Sequence, residues 1–200
     1  MLKLGEFLFK NRDYTPIPFI LIMIYYANVN SQSLIYGSIL MVLGELIRII
    51  GVAHIGGVSR TKTYSTGQKL ISSGPFSHVR NPLYIGNLFL STGLTVVSNV
   101  AIFFPLAFIA IFFLQYTPII KWEESNLRNV FGEDFDTYLK KVPRWIPRLT
   151  PGVDHTEKIK GEFKKAIVSE KNTLSAAIVV YLIILWRSGW FDNLAQFFQS

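Results

Sequence analysis

Charged side chains are missing from three long stretches of the chain, 14–44, 81–120 and 172–186. A helix needs about 20 apolar residues to cross a hydrocarbon core of about 30 Å, so the middle stretch alone can hold two crossings. Prolines and polar turns subdivide these runs. Pro16 and Pro18 suit the first turn of a helix, as does Pro82. Polar residues at 28–33 and at Ser98-Asn99 read as turns, and Gly56-Gly57 as a stop. The pattern predicts spans at about 14–29, 34–55, 82–97, 100–121 and 174–191, the third and fourth joined as a tight hairpin. The first and third are short, so tilt or local thinning of the bilayer is expected. The expected fold is all-α and integral to the membrane, with about five transmembrane helices in one domain over 1–200.

The basic residues give that reading a direction. All Lys and Arg except Arg48 and Arg187 fall in 1–13, 56–81 or 121–173, the segments that five crossings put on one side. The two short turns carry none. Positive-inside bias therefore places the N-terminus and both long loops in the cytoplasm. The first apolar run lacks the layout of a cleavable signal and is expected to remain as an anchor.

Composition agrees. Half of the residues are hydrophobic and 16% are charged, with a mean hydropathy of +0.34, more apolar surface than one soluble core of this size hides. The net charge of +7 first suggests nucleic acid, but its confinement to the loops points to anionic lipid instead. With no cysteine, disulfides, thiolate metal sites and a thiol nucleophile are excluded. His54, His78 and His155 are scattered, and no metal site is expected. The stretch 158–165 reads as an interfacial basic helix leading into the fifth span.

Chemistry has few places to sit. Glu45 and Arg48, three apart on the second span, read either as a mutual ion pair or as the lining of a cavity. Two cytoplasmic segments hold the rest. The first runs from Gln68 to Gly86, with a Gly74-Pro75 turn and a helix start at Pro82 whose free N–H groups can face a polar ligand. Tyr84 and Gly86 follow in its first turn. The second runs from Lys121 to Pro147. It opens with Glu123 and Glu124, continues as a short amphipathic helix with Phe131, Phe135, Tyr138 and Val142 at helical spacing, and breaks at Pro143 and Pro147. The hairpin must bring Arg80–Tyr84 beside Trp122–Glu124, so loop backbone, aromatic rings and two carboxylates converge at the cytoplasmic face.

These two segments resemble the integral membrane methyltransferases that include isoprenylcysteine carboxyl methyltransferase and the phospholipid methyltransferases. The resemblance rests on Gly74-Pro75-Phe76 and Arg80-Asn81-Pro82-Leu83-Tyr84-Ile85-Gly86, then Glu123-Glu124, Leu127, Phe131-Gly132, Phe135, Tyr138 and Val142-Pro143-Arg144. It covers 68–147, with a weaker echo at Gly44–Arg48. It implies methyl transfer from S-adenosylmethionine to a lipid-soluble acceptor, in a cytoplasmic cofactor pocket. By position, cofactor contacts fall on Gln68, Lys69, Leu70, Ile71, Phe76, Asn81, Pro82, Leu83, Tyr84 and Glu123. Arg80 and Tyr84 are the catalytic candidates, and Arg144 is a candidate for the substrate. Two departures stand out. Asn81 replaces the family's usual His, and Ile119 stands where carboxyl methyltransferases carry an arginine four residues before the glutamates. The competing readings are an NADPH-dependent reductase of the sterol-reductase type and a non-catalytic membrane scaffold. The acceptor and the oligomeric state are not readable from the sequence.

Overall fold

The computed structural model describes residues 1–55, 70–153 and 161–192. Among these, all regular structure is helical: α1 (Leu2–Lys10), α2 (Ile17–Tyr25), α3 (Ser31–Ile55), a one-turn 3-10 helix (Gly74–Ser77), α4 (Pro82–Ser98), α5 (Phe104–Phe131), α6 (Glu133–Lys141) and α7 (Phe163–Arg187). Three of them, α3, α5 and α7, are long and apolar enough to cross a membrane, and α4 is a shorter apolar helix.

The centre of the bundle is the antiparallel pair α3–α4. Glycine recurs every seventh residue on both helices, at Gly37, Gly44 and Gly51 and again at Gly86 and Gly93. Seven residues are close to two helical turns, so the glycines line one stripe per helix. The stripes face each other. A methyl group on Gly44 would stand 2.7 Å from the carbonyl oxygen of Gly86, and one on Gly93 would stand 2.6 Å from that of Gly37. Backbone therefore meets backbone with no room for a side chain, the packing that small residues permit between helices in lipid.

The other elements wrap this pair. Met23, Leu94, Val97, Phe104, Ile184 and Leu185 form a buried cluster joining α2, α4, α5 and α7 at one end. There Asn99 ends α4 in the left-handed conformation (φ 48°), and its side chain donates to the carbonyl of Asn28 at 2.8 Å. At the opposite end the N–H of Glu162 donates to the carbonyl of Ala53, so α7 begins beside the end of α3. Large apolar side chains such as Ile39, Val42, Ile178 and Leu182 face outward, an unpartnered apolar surface of the kind lipid covers.

The spans predicted from sequence shift most in three places, with smaller shifts where α3 starts at Ser31, α5 starts at Phe104 and α7 ends at Arg187. Within 14–29 only Ile17–Tyr25 is helical, about 14 Å of helix, because residues 11–16 form turns ahead of Pro16 and Pro18. The helix α1 was not foreseen. It lies along α5, where a methyl on Gly5 would collide with Pro118 and Trp122, and its Phe9 ring sits 4.8 Å from that of Trp122. The helix α5 runs ten residues past the predicted end at 121, and α7 starts eleven residues before the predicted 174. Charged residues end a hydropathy run, but the backbone hydrogen-bond ladder continues through them. Of the basic stretch 158–165, residues 161–165 are described, and from Phe163 they belong to α7 itself.

Gly44→Ala tests the seam by its sign. Alanine is the better helix former by about 1 kcal/mol, yet overpacking against backbone costs about 1–3 kcal/mol. Thermal unfolding in detergent should show a loss of stability, whereas Val42→Ala on the exposed face should change little.

Candidate active site

The site grows from the meeting of the loop before α4 with the end of α5 and the segment after α6. Gly74 takes φ 58°, a conformation open to glycine, and a methyl there would also strike the His54 ring. This sets the one-turn helix in which the Ser77 hydroxyl donates to the Gly74 carbonyl at 2.7 Å. The chain beyond it zips onto 143–152. The N–H of Arg80 donates to the Pro143 carbonyl (2.9 Å), that of Arg148 to His78 (3.0 Å) and that of Gly152 to Ser77 (2.7 Å). Asn81 adds its side-chain N–H to the Arg144 carbonyl at 3.2 Å. Pro82 then starts α4 at a position needing no N–H.

Gly132 ends α5 at φ 55° and frees α6 to turn back. Phe135, Tyr138 and Val142 bury one face of α6, and Leu70 packs on them with Phe131. The Tyr138 hydroxyl donates to the Phe76 carbonyl at 2.8 Å. Burial raises its phenol well above the ordinary value, so the donor keeps its proton.

Two adjacent glutamates at the end of α5 have separate partners. Glu124 accepts from one edge of the Arg144 guanidinium through both of its oxygens, from Nη2 at 2.6 Å and Nε at 3.2 Å, and lies 3.3 Å from Arg80. One carboxylate thus clamps both arginines of the two motifs. Burial pushes the Arg80 guanidinium below its usual value, with Glu124 opposing it. Glu123 instead accepts from the Tyr84 hydroxyl at 2.8 Å. The Tyr84 ring stands 4.8 Å from Tyr116, which stacks on Phe112 at 4.1 Å. Two buried polar atoms here have no hydrogen-bond partner, Nε of Arg80 and the hydroxyl of Ser73. Buried donors left this way are costly and mark where a ligand's acceptor atoms would fit.

Several of the expected residues come together. Tyr84 and Glu123 are bonded, and Arg80, Asn81 and Arg144 join one network through Glu124 and the Arg144 carbonyl. Phe76 and Leu70 pack on α6, and Ile71 is half-buried nearby in sequence. Pro82 is fully buried, and Leu83 turns away toward Gly51 and the Val52–Ala53 cluster. Gln68 and Lys69 lie outside the described residues. Gly86 serves the backbone of α3, where a methyl group would stand 2.8 Å from the Gly44 carbonyl oxygen. Ile119 is fully buried. Sequence reasoning missed Phe112 and Tyr116, although both lie on the Glu123 face of α5, at 11 and 7 residues before it. Among the described residues, no group of three or more His, Asp or Glu could hold a metal.

Helices of membrane-crossing length, with a carboxylate–arginine–tyrosine cluster at one end of the bundle, define a class of helical membrane protein with its polar site at the bundle's end. The chain belongs to the phospholipid methyltransferase family, whose pattern matches residues 32–134. It is 36% identical over 91 residues to the cobalt-zinc-cadmium resistance protein CzcN of Cupriavidus metallidurans, covering 44% of this chain and 41% of that protein. It is 30% identical over 120 residues to a probable protein-S-isoprenylcysteine O-methyltransferase of Oryza sativa subsp. indica (56% and 59% covered). To the protein-S-isoprenylcysteine O-methyltransferase of Xenopus laevis it is 29% identical over 121 residues (56% and 40%). The matches thus span about two fifths to three fifths of these curated relatives. No solved structure matches the chain.

Glu124→Ala would strand Arg80 and Arg144, whose side chains are 14% and 28% exposed. Removing one partner of a buried pair costs about 3 kcal/mol or more. Thermal unfolding should fall accordingly, and residues 143–147 should become the earliest site of limited proteolysis.

Proposed function

We propose that this protein transfers a methyl group from S-adenosylmethionine to a lipid-soluble acceptor. The observation that carries the reading is the junction of Arg80–Tyr84 with Glu123–Glu124, within a chain of the phospholipid methyltransferase family. The residues present suit the cofactor. Its carboxylate would take the unpartnered donors of Arg80 and Ser73, its ammonium the carboxylate of Glu123, and its adenine the apolar walls near Leu70, Ile71 and Phe76. Gln68, Lys69, Asn81 and Pro82 complete the contacts carried over from the family resemblance, and Leu83, also carried over, packs on α3 instead. When bound, the cofactor supplies an electrophilic methyl whose carbon–sulfur bond breaks with its electron pair left on sulfur.

The chain's own residues supply position. Tyr84 and Tyr116 wall the site, and Glu124 holds Arg80 and Arg144 in place, so the acceptor meets the methyl in a fixed line of approach. Arg144 belongs to the acceptor side in this reading, with its Nε/Nη2 edge held by Glu124. Titration with NADPH separates this reading from a reductase, and binding of neither cofactor would leave a scaffold.

The reading includes five crossings with the site in the cytoplasm. Residues 1–30 run from beside Trp122 at the site end to Asn28, whose N–H donates to the Ser98 carbonyl at the other end. They traverse the bundle although α2 alone is short. The helix α4, about 25 Å long, needs local thinning or snorkelling. The lysine and arginine bias supports a cytoplasmic N-terminus and site, in a single membrane domain whose catalytic region is 68–147.

Two measurements test the proposal. Glu123→Gln should keep the parent's thermal stability and weaken S-adenosylmethionine binding in calorimetry by about 10- to 150-fold, the worth of a charge-assisted hydrogen bond of about 1.5–3 kcal/mol. For the topology, Ile102 and Leu149 are fully exposed positions at opposite ends. Ile102→Cys should react with an impermeant maleimide added outside intact cells, and Leu149→Cys should react only after lysis.

A further inference from the structure

The most unusual buried group lies outside the residues assigned above. Glu45 is 8% exposed on α3, and neither of its carboxylate oxygens has a hydrogen-bond partner. Its sequence neighbour Arg48 does not satisfy it. The closest approach is 3.9 Å, beyond hydrogen-bond range. Arg48 spends each of its nitrogens elsewhere, on Glu170, Asn87 and, at 3.5 Å, Thr173. The ion pair that the spacing suggested is therefore present only loosely, at 3.9 Å, while the hydrogen bonds of Arg48 tie α3 to α4 and α7. A carboxylate buried among membrane helices with nothing donating to it is expensive unless a ligand or a proton completes it.

Its place in the fold says which ligand. The backbone N–H of Arg48 lies at the level of Gly86, where a methyl group would stand 3.2 Å from it. Asn87 is three residues after Tyr84, on the same face of α4 and one turn deeper. It accepts from Arg48 and lies near Tyr116, whose ring adjoins Tyr84. Polar side chains thus line a path from Glu123 and Tyr84 past Tyr116 and Asn87 to Arg48 and Glu45, from the bundle's end down into its apolar part.

We propose that Glu45 is the acceptor-binding carboxylate, taking a hydrogen bond from the N–H or O–H of a lipid-borne amine or alcohol. A carboxylate head has no proton to give it and is the wrong acceptor for this chain. The inference rests on the methyltransferase reading above and adds to it the residue that selects the acceptor class.

The test uses the purified full-length protein in phosphatidylcholine vesicles doped with dodecylamine, dodecanol or dodecanoate. Dicyclohexylcarbodiimide, in excess over all carboxyl groups including the probe's, activates carboxyl groups reachable from lipid, and peptide mass spectrometry reads the loss of the unmodified Glu45 peptide, so that N-acylurea, amide and ester products count alike. Dodecylamine or dodecanol should slow modification about tenfold, the scale of one strong hydrogen bond, and dodecanoate should not. Which of the two protects tells nitrogen from oxygen. No protection by either, equal protection by dodecanoate, or no modification in undoped vesicles overturns the proposal. With labelled S-adenosylmethionine, Glu45→Gln should raise the KM for the protecting probe about tenfold at unchanged cofactor affinity, and Glu45→Asp should restore part of it. An unchanged KM also overturns it while leaving the methyltransferase reading standing. A parent protein that binds no S-adenosylmethionine would instead sink that reading, and the protection result would remain.

Discussion

The close approach of α3 and α4 is the constraint on which the remainder of the bundle depends. In lipid, two helices gain little from burying apolar side chains against each other, because the surrounding chains are equally apolar. Contact must come from packing, and glycine is the residue that lets backbones touch. Gly37 against Gly93 and Gly44 against Gly86 set both the separation and the register of the pair. That register decides which side chains stand level with one another. Leu83 falls against Gly51, and Arg48 falls beside Gly86 within reach of Asn87. A slip of one turn would carry Arg48 away from Asn87 and dismantle the polar ties to Glu170 on α7.

From that pair the site is assembled by polar contacts beside a small apolar cluster on α6. Glu124 closes the junction electrostatically, gathering Arg80 from before α4 and Arg144 from beyond α6. The backbone bonds from Arg80, Arg148 and Gly152 do the same with neutral groups. The division of labour between two adjacent glutamates follows from helix geometry. Neighbouring residues on a helix point about 100° apart, so Glu124 turns toward the arginines while Glu123 turns toward Tyr84 and its aromatic wall. One carboxylate is used up in holding the junction together, and the other is bonded to the Tyr84 hydroxyl.

The legibility of this arrangement in the sequence was uneven, for physical reasons. Apolar runs, prolines at helix starts and the sidedness of Lys and Arg are local or additive signals, and they marked α3, α4, α5 and α7 with errors mainly at the ends. The ends were misplaced because hydropathy reports what lipid tolerates, whereas helix continuation depends on backbone hydrogen bonds that charged residues do not interrupt. The helix α1 escaped notice because its nine residues carry both charged and apolar groups and its partner, the face of α5 at Pro118 and Trp122, is more than a hundred residues away.

The candidate site divides along the same line. The sequence by itself determined which residues could take part, since Arg80–Tyr84 and Glu123–Glu124 are runs whose side-chain chemistry and family resemblance are readable in one dimension. It also determined that the two runs meet, because a tight hairpin leaves their ends no other place. Only the tertiary structure decided who pairs with whom. Glu45 and Arg48 look like partners at a spacing of three, yet Glu170, a residue 122 positions distant, takes the arginine's hydrogen bonds and leaves Glu45 with a loose ion pair at 3.9 Å and no hydrogen bond. Spacing along one helix shows which side chains can reach each other. Whether they do depends on what a neighbouring helix offers at the same level, and that level is set by the glycine contacts between α3 and α4.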